Sequence, residues 1–416
     1  MRCAVFTTIP PGSYSGGRYH AVMIAEALAH GGHETHLAVN HVPAFWDDFS
    51  LFPNHHKVQL SLTKDFATGL PKGSFDVVVL VPGMPMAAVF CYGAQQFAVD
   101  RGAYLVFLNF ESGNWFNALS PEPRDIRLWD PWKRVAKRAS VVLSLTKEGD
   151  RWAREFYGGC PRETRFDYCY PTINTPVADA VENAQREKRV VMFARFTMGA
   201  HKGCNRIDEV LCEPMRGHTL VLIVGMGSVD SEVIGRLRQR AREFGVSVEI
   251  KEKLTDWQKF TELKRARLML FPSFFEGFGY PPIEAQYCGL PCVAFDLPVL
   301  RETSGNRIFY AEAGNWAEFR AKVEEALTAN LNYDHLHEAV RDTAGLDAHA
   351  AKLNEILAPL VQAGPPRGMH RRVWGWRLRY EGCCGKDLLK ARLKARLKAA
   401  RDYLNRKAAA LVRRHR

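Results

Sequence analysis

No C-x-x-C pair occurs among the ten cysteines of this 416-residue chain. Neither zinc-ligand spacing nor a disulfide framework is therefore indicated, and a reducing compartment is expected. No window approaches twenty uninterrupted apolar residues, which excludes a transmembrane helix. The start, Met1-Arg2-Cys3-Ala4-Val5-Phe6, runs into a Pro/Gly turn before the apolar core of a signal peptide has room to form. Before residue 364 there are no internal repeats or low-complexity segments, and almost no net charge. The chain as a whole carries +12, but residues 364–416 hold 17 Lys and Arg against Glu381, Asp387 and Asp402. All the excess positive charge thus sits in a tail, and the remaining body has ordinary globular proportions, with length enough for two or three domains.

What is present is an alternation of short β-rich runs with helical stretches, the pattern of parallel sheets covered by helices. Strands are expected at 3–9, 34–40, 76–82, 103–109 and 139–145, with helices at 18–30 and 129–138. The pattern restarts at 189–196, 219–224, 246–250, 267–271 and 292–295. Between the halves, Tyr170-Pro171-Thr172-Ile173-Asn174-Thr175-Pro176 has the turn residues of a linker, followed by the polar stretch 179–188. The expectation is an α/β chain of two doubly wound Rossmann-like domains, 1–172 and 186–345, with ligands bound at strand ends and in the cleft between them. A closing helix is expected over 346–358 within segment 346–363, with Pro359 as its stop.

The most informative stretch is FPSFFEGFGYPPIEAQYCGLPCVAFDLPVLRE at 271–302. A buried strand runs into a turn with two glycines, Gly277 and Gly279, which let backbone N–H groups approach a ligand closely. Pro281 and Pro282 open a helix and Gly289 ends it. A helix N-terminus at a strand end favours an anion such as a diphosphate. Glu276 and Glu284 bracket the turn, and a carboxylate accepts two hydrogen bonds side by side, which suits a vicinal diol of a sugar or ribose.

Glu276 to Glu284, with Gly-Phe-Gly between, resembles the E-x7-E motif of glycosyltransferase family 4, retaining enzymes of the GT-B fold. The resemblance extends weakly over roughly 1–360, through PPGSYSGGRYHAVMIAEALAHGGHETHLAV, YPTIN and FARFTMGAHKG. It implies that Glu284 holds the ribose of a nucleotide-sugar, that Glu276 contacts the donor sugar, and that the amides of Gly277, Phe278 and Gly279 face sugar and diphosphate. Arg195 and Lys202 resemble the family's basic pair that neutralises the leaving diphosphate, although their spacing of seven is longer than usual. Gly16 and Gly17 resemble its glycine loop. Where the family often carries a histidine, this chain reads Leu108-Asn109-Phe110-Glu111, so Glu111 or Asn109 takes that place. Glu111 is read as a bond to sugar or acceptor, as a general base, or as a polar loop residue; a base there would also allow inversion.

The resemblance implies a metal-independent glycosyltransferase with no cofactor. Its donor would be a UDP- or GDP-linked sugar, and its acceptor a glycan or lipid-linked hydroxyl in surface polysaccharide or lipopolysaccharide synthesis. A GT-B-fold epimerase, a phosphorylase and a non-catalytic scaffold stay open as alternatives. Trp115, Phe116, Trp129 and Trp132 are read as first-domain packing, with an acceptor site or membrane contact as alternatives. His20 and His33 are read as structural. Lys251 and Lys253 are candidates to approach the base. In the tail, Leu389, Leu393, Leu397, Ala400, Leu404, Ala408 and Leu411 form one apolar stripe over 386–414, preceded by Trp374, Trp376 and Tyr380. A basic amphipathic helix with aromatic anchors reads as an interfacial membrane segment, with a solvated helix, one packed on the body or another subunit, and nucleic-acid binding as alternatives. The resemblance, whose members often need a lipid-linked acceptor, favours an anionic membrane surface contacted through 374–414, with no specific nucleic acid expected. The expected place is cytoplasmic, peripheral on the inner face of the membrane.

Overall fold

The computed structural model describes residues 1–364, apart from 11, 13–15, 64–71, 84–87, 197–198, 226–228 and 330–335. The expected basic helix over 386–414 and its aromatic flank lie outside the described residues. Two wholly parallel sheets organise the rest. The first contains β1 (Arg2–Phe6), β2 (Glu34–Val39), β3 (Val58–Leu62), β4 (Val77–Leu80), β5 (Tyr104–Asn109), β6 (Val141–Ser144) and β7 (Arg165–Tyr168), in the order β3-β2-β1-β4-β5-β6-β7. The second contains β8 (Arg189–Ala194), β9 (Thr219–Val224), β10 (Ser247–Glu252), β11 (Leu268–Phe271), β12 (Cys292–Phe295) and β13 (Phe309–Ala311), in the order β10-β9-β8-β11-β12-β13. Both orders reverse direction beside the first strand of their domain, which opens a crevice at the carboxyl ends of the strands.

The central strands are apolar on both faces because helices cover both: Val77–Leu80, Val141–Leu143 and Leu220–Val224 are buried throughout. Three strands absent from the sequence expectation lie at sheet edges: β3 and β7 are the two edges of the first sheet and β13 is one edge of the second. β7 reads Arg-Phe-Asp-Tyr and is half-buried along its length, so it never shows an apolar run. β13 has only three residues.

The chain passes into the second domain through Tyr170–Asn174, where Asn174 caps the helix Thr175–Ala180 by accepting from Val177 N–H at 3.2 Å. It returns at the far end. After the helix Leu336–Ala344, the helix Leu346–Gln362 lies on the first domain's helix Gly16–His30, with His30 Nε2 2.6 Å from Asp347 and His33 bonded to Asn354. Pro359 does not stop this helix, which runs on to Gln362. Only its own missing N–H is lost there, and Ala363 N–H still closes on the Pro359 carbonyl at 3.2 Å. All eight described cysteines are free thiols. Among the described residues no helix is long and apolar enough to cross a membrane.

Candidate functional site

The turn after β11 is built by close approaches that only glycine permits. A Cβ on Gly277 would stand 2.2 Å from the Phe110 carbonyl oxygen of the first domain, and one on Gly279, at φ +91, would stand 2.5 Å from Leu300. The helix Tyr280–Tyr287 then begins with prolines at its first turn. Those prolines carry no N–H and Ile283 N–H turns back to the Gly279 carbonyl at 3.5 Å, so among the described residues Tyr280 alone in the first helical turn offers a free amide donor beside those of the turn. Ser273 Oγ lies 3.2 Å from the His201 carbonyl and Phe274 N–H donates to the same oxygen at 2.7 Å, which ties the turn to the loop after β8.

That loop explains the long spacing between the two basic residues. A Cβ on Gly199 would meet the Arg195 carbonyl at 1.6 Å, and Gly203, at φ +71, sits 2.3 Å in the same sense from the Pro272 carbonyl. The loop is folded back tightly on itself and on the acidic turn. Lys202 Nζ therefore reaches Glu276 Oε1 at 2.6 Å. Arg195 lines the same cavity, and its buried Nε has no hydrogen-bond partner. Burial pulls the Arg195 pKa below its ordinary value, and neighbouring Arg124 adds to this against Glu111 and Glu276. A desolvated guanidinium with an idle donor is what an incoming phosphate oxygen would satisfy.

All ten sequence candidates line one cavity of about 360 Å³ between the domains: Glu276, Arg195, Lys202, Glu111, Glu284, Gly277, Phe278, Gly279, Gly16 and Gly17. Both Glu276 and Glu284 are buried. Glu111 follows β5 and is half the pair Arg124–Glu111 at 3.9 Å, with one oxygen otherwise unpartnered. Burial raises its pKa, against the pull of Arg124, Arg195 and Lys202. Asn109, the other candidate for the histidine's place, is fully buried and occupied by Ser144 and Tyr157, away from the cavity lining.

Contacts across the cleft hold the two domains in register. The Glu302 carboxylate accepts from the Lys147 and Glu148 amides at 2.7 and 2.9 Å, at the start of helix Lys147–Phe156, and from the Tyr170 hydroxyl at 2.8 Å. Trp115 and Phe116 each pack edge-on to Phe275 with ring centres 5.0 Å apart. Trp115, Phe116, Trp129 and Trp132 are all buried, which settles their role as packing, partly across the seam.

The structure also shows cavity contacts that the sequence did not foresee, one at His20, read as structural, and one at Lys259, which no motif marks. His20 lines the cavity and hydrogen-bonds the Tyr280 hydroxyl at 2.8 Å, so it joins the domains as well as filling its helix. Lys259 Nζ lies 2.6 Å from Glu284 and 2.7 Å from Asp256. No motif marks these positions, and only the i, i+3 spacing of Asp256 and Lys259 offered a local signal. Lys251 is instead spent on Glu262 at 2.7 Å and Glu249 at 3.3 Å, and neither it nor Lys253 lines the cavity.

Three buried histidines here are held neutral. Burial lowers His20 to about 3, helped by His349; burial lowers His349 itself to about 3; and burial lowers His201 to about 2, helped by Lys202, Arg195 and Arg124. The unfolded chain takes up these protons near pH 6.5 and the folded one does not, so stability falls as pH falls between those values. Each histidine should cost about 1 kcal/mol between pH 7 and 5.5. Urea unfolding at the two pH values checks this, and His349→Asn should remove about a third of the loss it shares with the other two.

Comparison with known proteins agrees with this geometry. Residues 179–343 match the family model described as glycosyl transferases group 1. The O-antigen chain mannosyltransferase RfbU of Salmonella typhimurium is 33% identical over 85 residues, 19% of this chain and 24% of that protein. The O-antigen chain mannosyltransferase B of Escherichia coli is 36% identical over 62 residues, 15% and 16% of the respective chains. The chain thus spans a quarter or less of the length of these curated relatives. Among solved structures, Anabaena HepE in complex with UDP and glucose superposes with a TM-score of 0.62 at 15% identity, covering 86% of this chain and all of that one. WaaG, a glycosyltransferase involved in lipopolysaccharide biosynthesis, superposes with a TM-score of 0.56 at 14% identity, covering 86% and 99%. The two parallel-sheet domains have the GT-B fold, and residues 179–343, which hold Glu276, Glu284, Arg195 and Lys202, match the model of the glycosyl transferases group 1.

Proposed function

We propose that this protein is a glycosyltransferase that moves a sugar from a nucleotide-sugar to a hydroxyl of a glycan or lipid-linked acceptor in surface polysaccharide or lipopolysaccharide synthesis. One observation carries the reading: the buried Glu276 and Glu284 and the partly buried Arg195, whose enclosed Nε has no hydrogen-bond partner, converge on one interdomain cavity. The named relatives, O-antigen mannosyltransferases and a lipopolysaccharide glycosyltransferase, support the class of product, and the HepE complexes support a UDP-linked donor.

In this reading Glu284 accepts from the ribose hydroxyls and Glu276, oriented by Lys202, accepts from the donor sugar. The bond between the anomeric carbon and the β-phosphate oxygen breaks, and its electron pair stays on the phosphate. Arg195 and Lys202 stabilise that charge without a metal ion. The acceptor oxygen bonds to the anomeric carbon on the same face, and its proton passes to the departing phosphate oxygen, so configuration is retained. The closed cleft excludes water from the exchange. The basic segment 374–414 brings the enzyme to the inner face of an anionic membrane.

The test is a thermal-shift screen of UDP, GDP and their sugars, followed by acceptor-dependent release of the nucleoside diphosphate. A ligand bound only by the folded state raises the melting temperature. Glu284→Gln should weaken nucleotide binding about tenfold, in line with the loss of a charged hydrogen-bond acceptor. Absence of any nucleotide-dependent shift would reject the reading. Equal recovery with anionic vesicles of the full chain and a version ending at Gly364 would reject the membrane contact.

A further inference from the structure

Glu284 does not sit alone. The helix Asp256–Arg265 starts at a capping box of Thr255 and Gln258, which fixes its first turn. Asp256 and Lys259 share one face of that turn, and Lys259 reaches across to the helix Tyr280–Tyr287. Its ammonium stands 2.7 Å from Asp256 Oδ1 and 2.6 Å from Glu284 Oε1, and all three side chains are almost wholly enclosed. The other Asp256 oxygen takes the Tyr19 hydroxyl of the first domain and the Asn174 side-chain amide of the linker at 2.8 Å. Asp256 is thereby fully occupied by protein. Glu284 Oε2, by contrast, has no protein partner among the described residues, and Glu284 lines the cavity.

We propose that Lys259, anchored by Asp256, is a positioning residue that fixes Glu284 as an ionised acceptor with one oxygen left for the ribose diol of the nucleotide. The proposal rests on the nucleotide-sugar reading above. Two neighbouring hydroxyls donate best to a carboxylate, since a protonated acid gives up one acceptor position to its own proton. Burial works against that charge: it raises the Glu284 pKa, Lys259 pulls it back, and Asp256 pushes it up again. Burial also disfavours the Lys259 charge, but Asp256 and Glu284 outweigh it and hold the ammonium above its ordinary range. Without Lys259, two enclosed carboxylates would face each other, and Glu284 would take up a proton or turn away.

The experiment is calorimetric titration of the full chain with UDP and GDP, each against its 2′,3′-dideoxy analogue. The wild type should bind the ribonucleotide about tenfold tighter than the analogue. Lys259→Met should lose about tenfold on the ribonucleotide and little on the analogue, so that their ratio collapses towards one. Lys259→Arg should restore most of the ratio. A merely structural role would weaken both ligands alike and leave the ratio standing, and that result overturns the proposal. Should Lys259→Met fail to fold, the double variant Lys259→Met/Asp256→Asn removes one charge of each sign, keeps Glu284 and reads the same ratio. A wild type that binds ribonucleotide and analogue equally also overturns the proposal while leaving the nucleotide-sugar reading intact. A wild type that binds neither rejects that reading itself.

Discussion

Replacing Arg195 by alanine is expected to lower acceptor-dependent release of the nucleoside diphosphate by about 10²–10³-fold, the usual cost of removing one preorganised donor from a developing oxyanion. The expectation follows from its surroundings. Its side chain is partly buried, its enclosed Nε has no hydrogen-bond partner, and the carboxylates that share its chamber pair with other cations, Glu276 with Lys202 at 2.6 Å and Glu111 with Arg124 at 3.9 Å. A donor already fixed in place and partly desolvated acts on charge that arrives during the reaction with little reorganisation. Arg195→Lys should recover only part of the loss, since an ammonium lacks the planar fork that meets two phosphate oxygens at once. Steady-state turnover at saturating donor is the measurement. A variant with turnover within threefold of wild type would remove Arg195 from the chemistry.

The second large effect is expected at Gly277, where the cost is steric. Adding one methyl group there places carbon 2.2 Å from the Phe110 carbonyl oxygen, backbone against backbone across the seam between the domains. Neither side can yield as a flexible side chain would. The first domain must retreat, taking Glu111 and the glycine pair away from the acidic turn. A displacement of about 1 Å in a catalytic arrangement costs about 10²-fold in rate. Gly277→Ala should therefore lose about that factor while keeping wild-type circular dichroism, since neither sheet is touched. Gly235→Ala, where a Cβ meets nothing within 4 Å, serves as the control. Wild-type turnover in Gly277→Ala would show that the domains do not need to meet at this point.

The two sites differ in how readable they were. The acidic turn is local: strand, glycine turn, proline-opened helix and the bracketing glutamates lie within one continuous stretch, and each feature has a sequence signature. The Arg195–Lys202 pair was harder to place, because its spacing looked too long. Gly199 lies against the Arg195 carbonyl and Gly203 against Pro272, and Lys202 ends on Glu276. Lys251 shows the opposite error. It looked free to approach a base, but as a strand residue it points to Glu262 on a neighbouring helix.

His20 and Lys259 were not legible in this way. A histidine in the first helix and a lysine in a capped surface-like helix are ordinary in sequence. Their significance comes from partners far along the chain, Tyr280 for His20 and Glu284 for Lys259. Three of the four edge strands, β3, β7 and β13, were missed for a related reason, since a strand that faces solvent on one side needs no apolar run, whereas the edge strand β10 was expected.

What the amino-acid order determined by itself was the alternation of strands and helices, the two sheet domains, and the strand–turn–helix form of 268–287 with its two glutamates. Those follow from periodicity, propensity and turn residues, which act over a few neighbours. What only the tertiary structure decided was which charges meet: Lys202 on Glu276, Lys259 between Asp256 and Glu284, Glu302 on the helix start of the other domain, and the Arg195 Nε left without a hydrogen-bond partner. Charge pairing depends on distance and burial in space, and residues dozens to hundreds of positions apart become neighbours only when the two sheets close over one cleft.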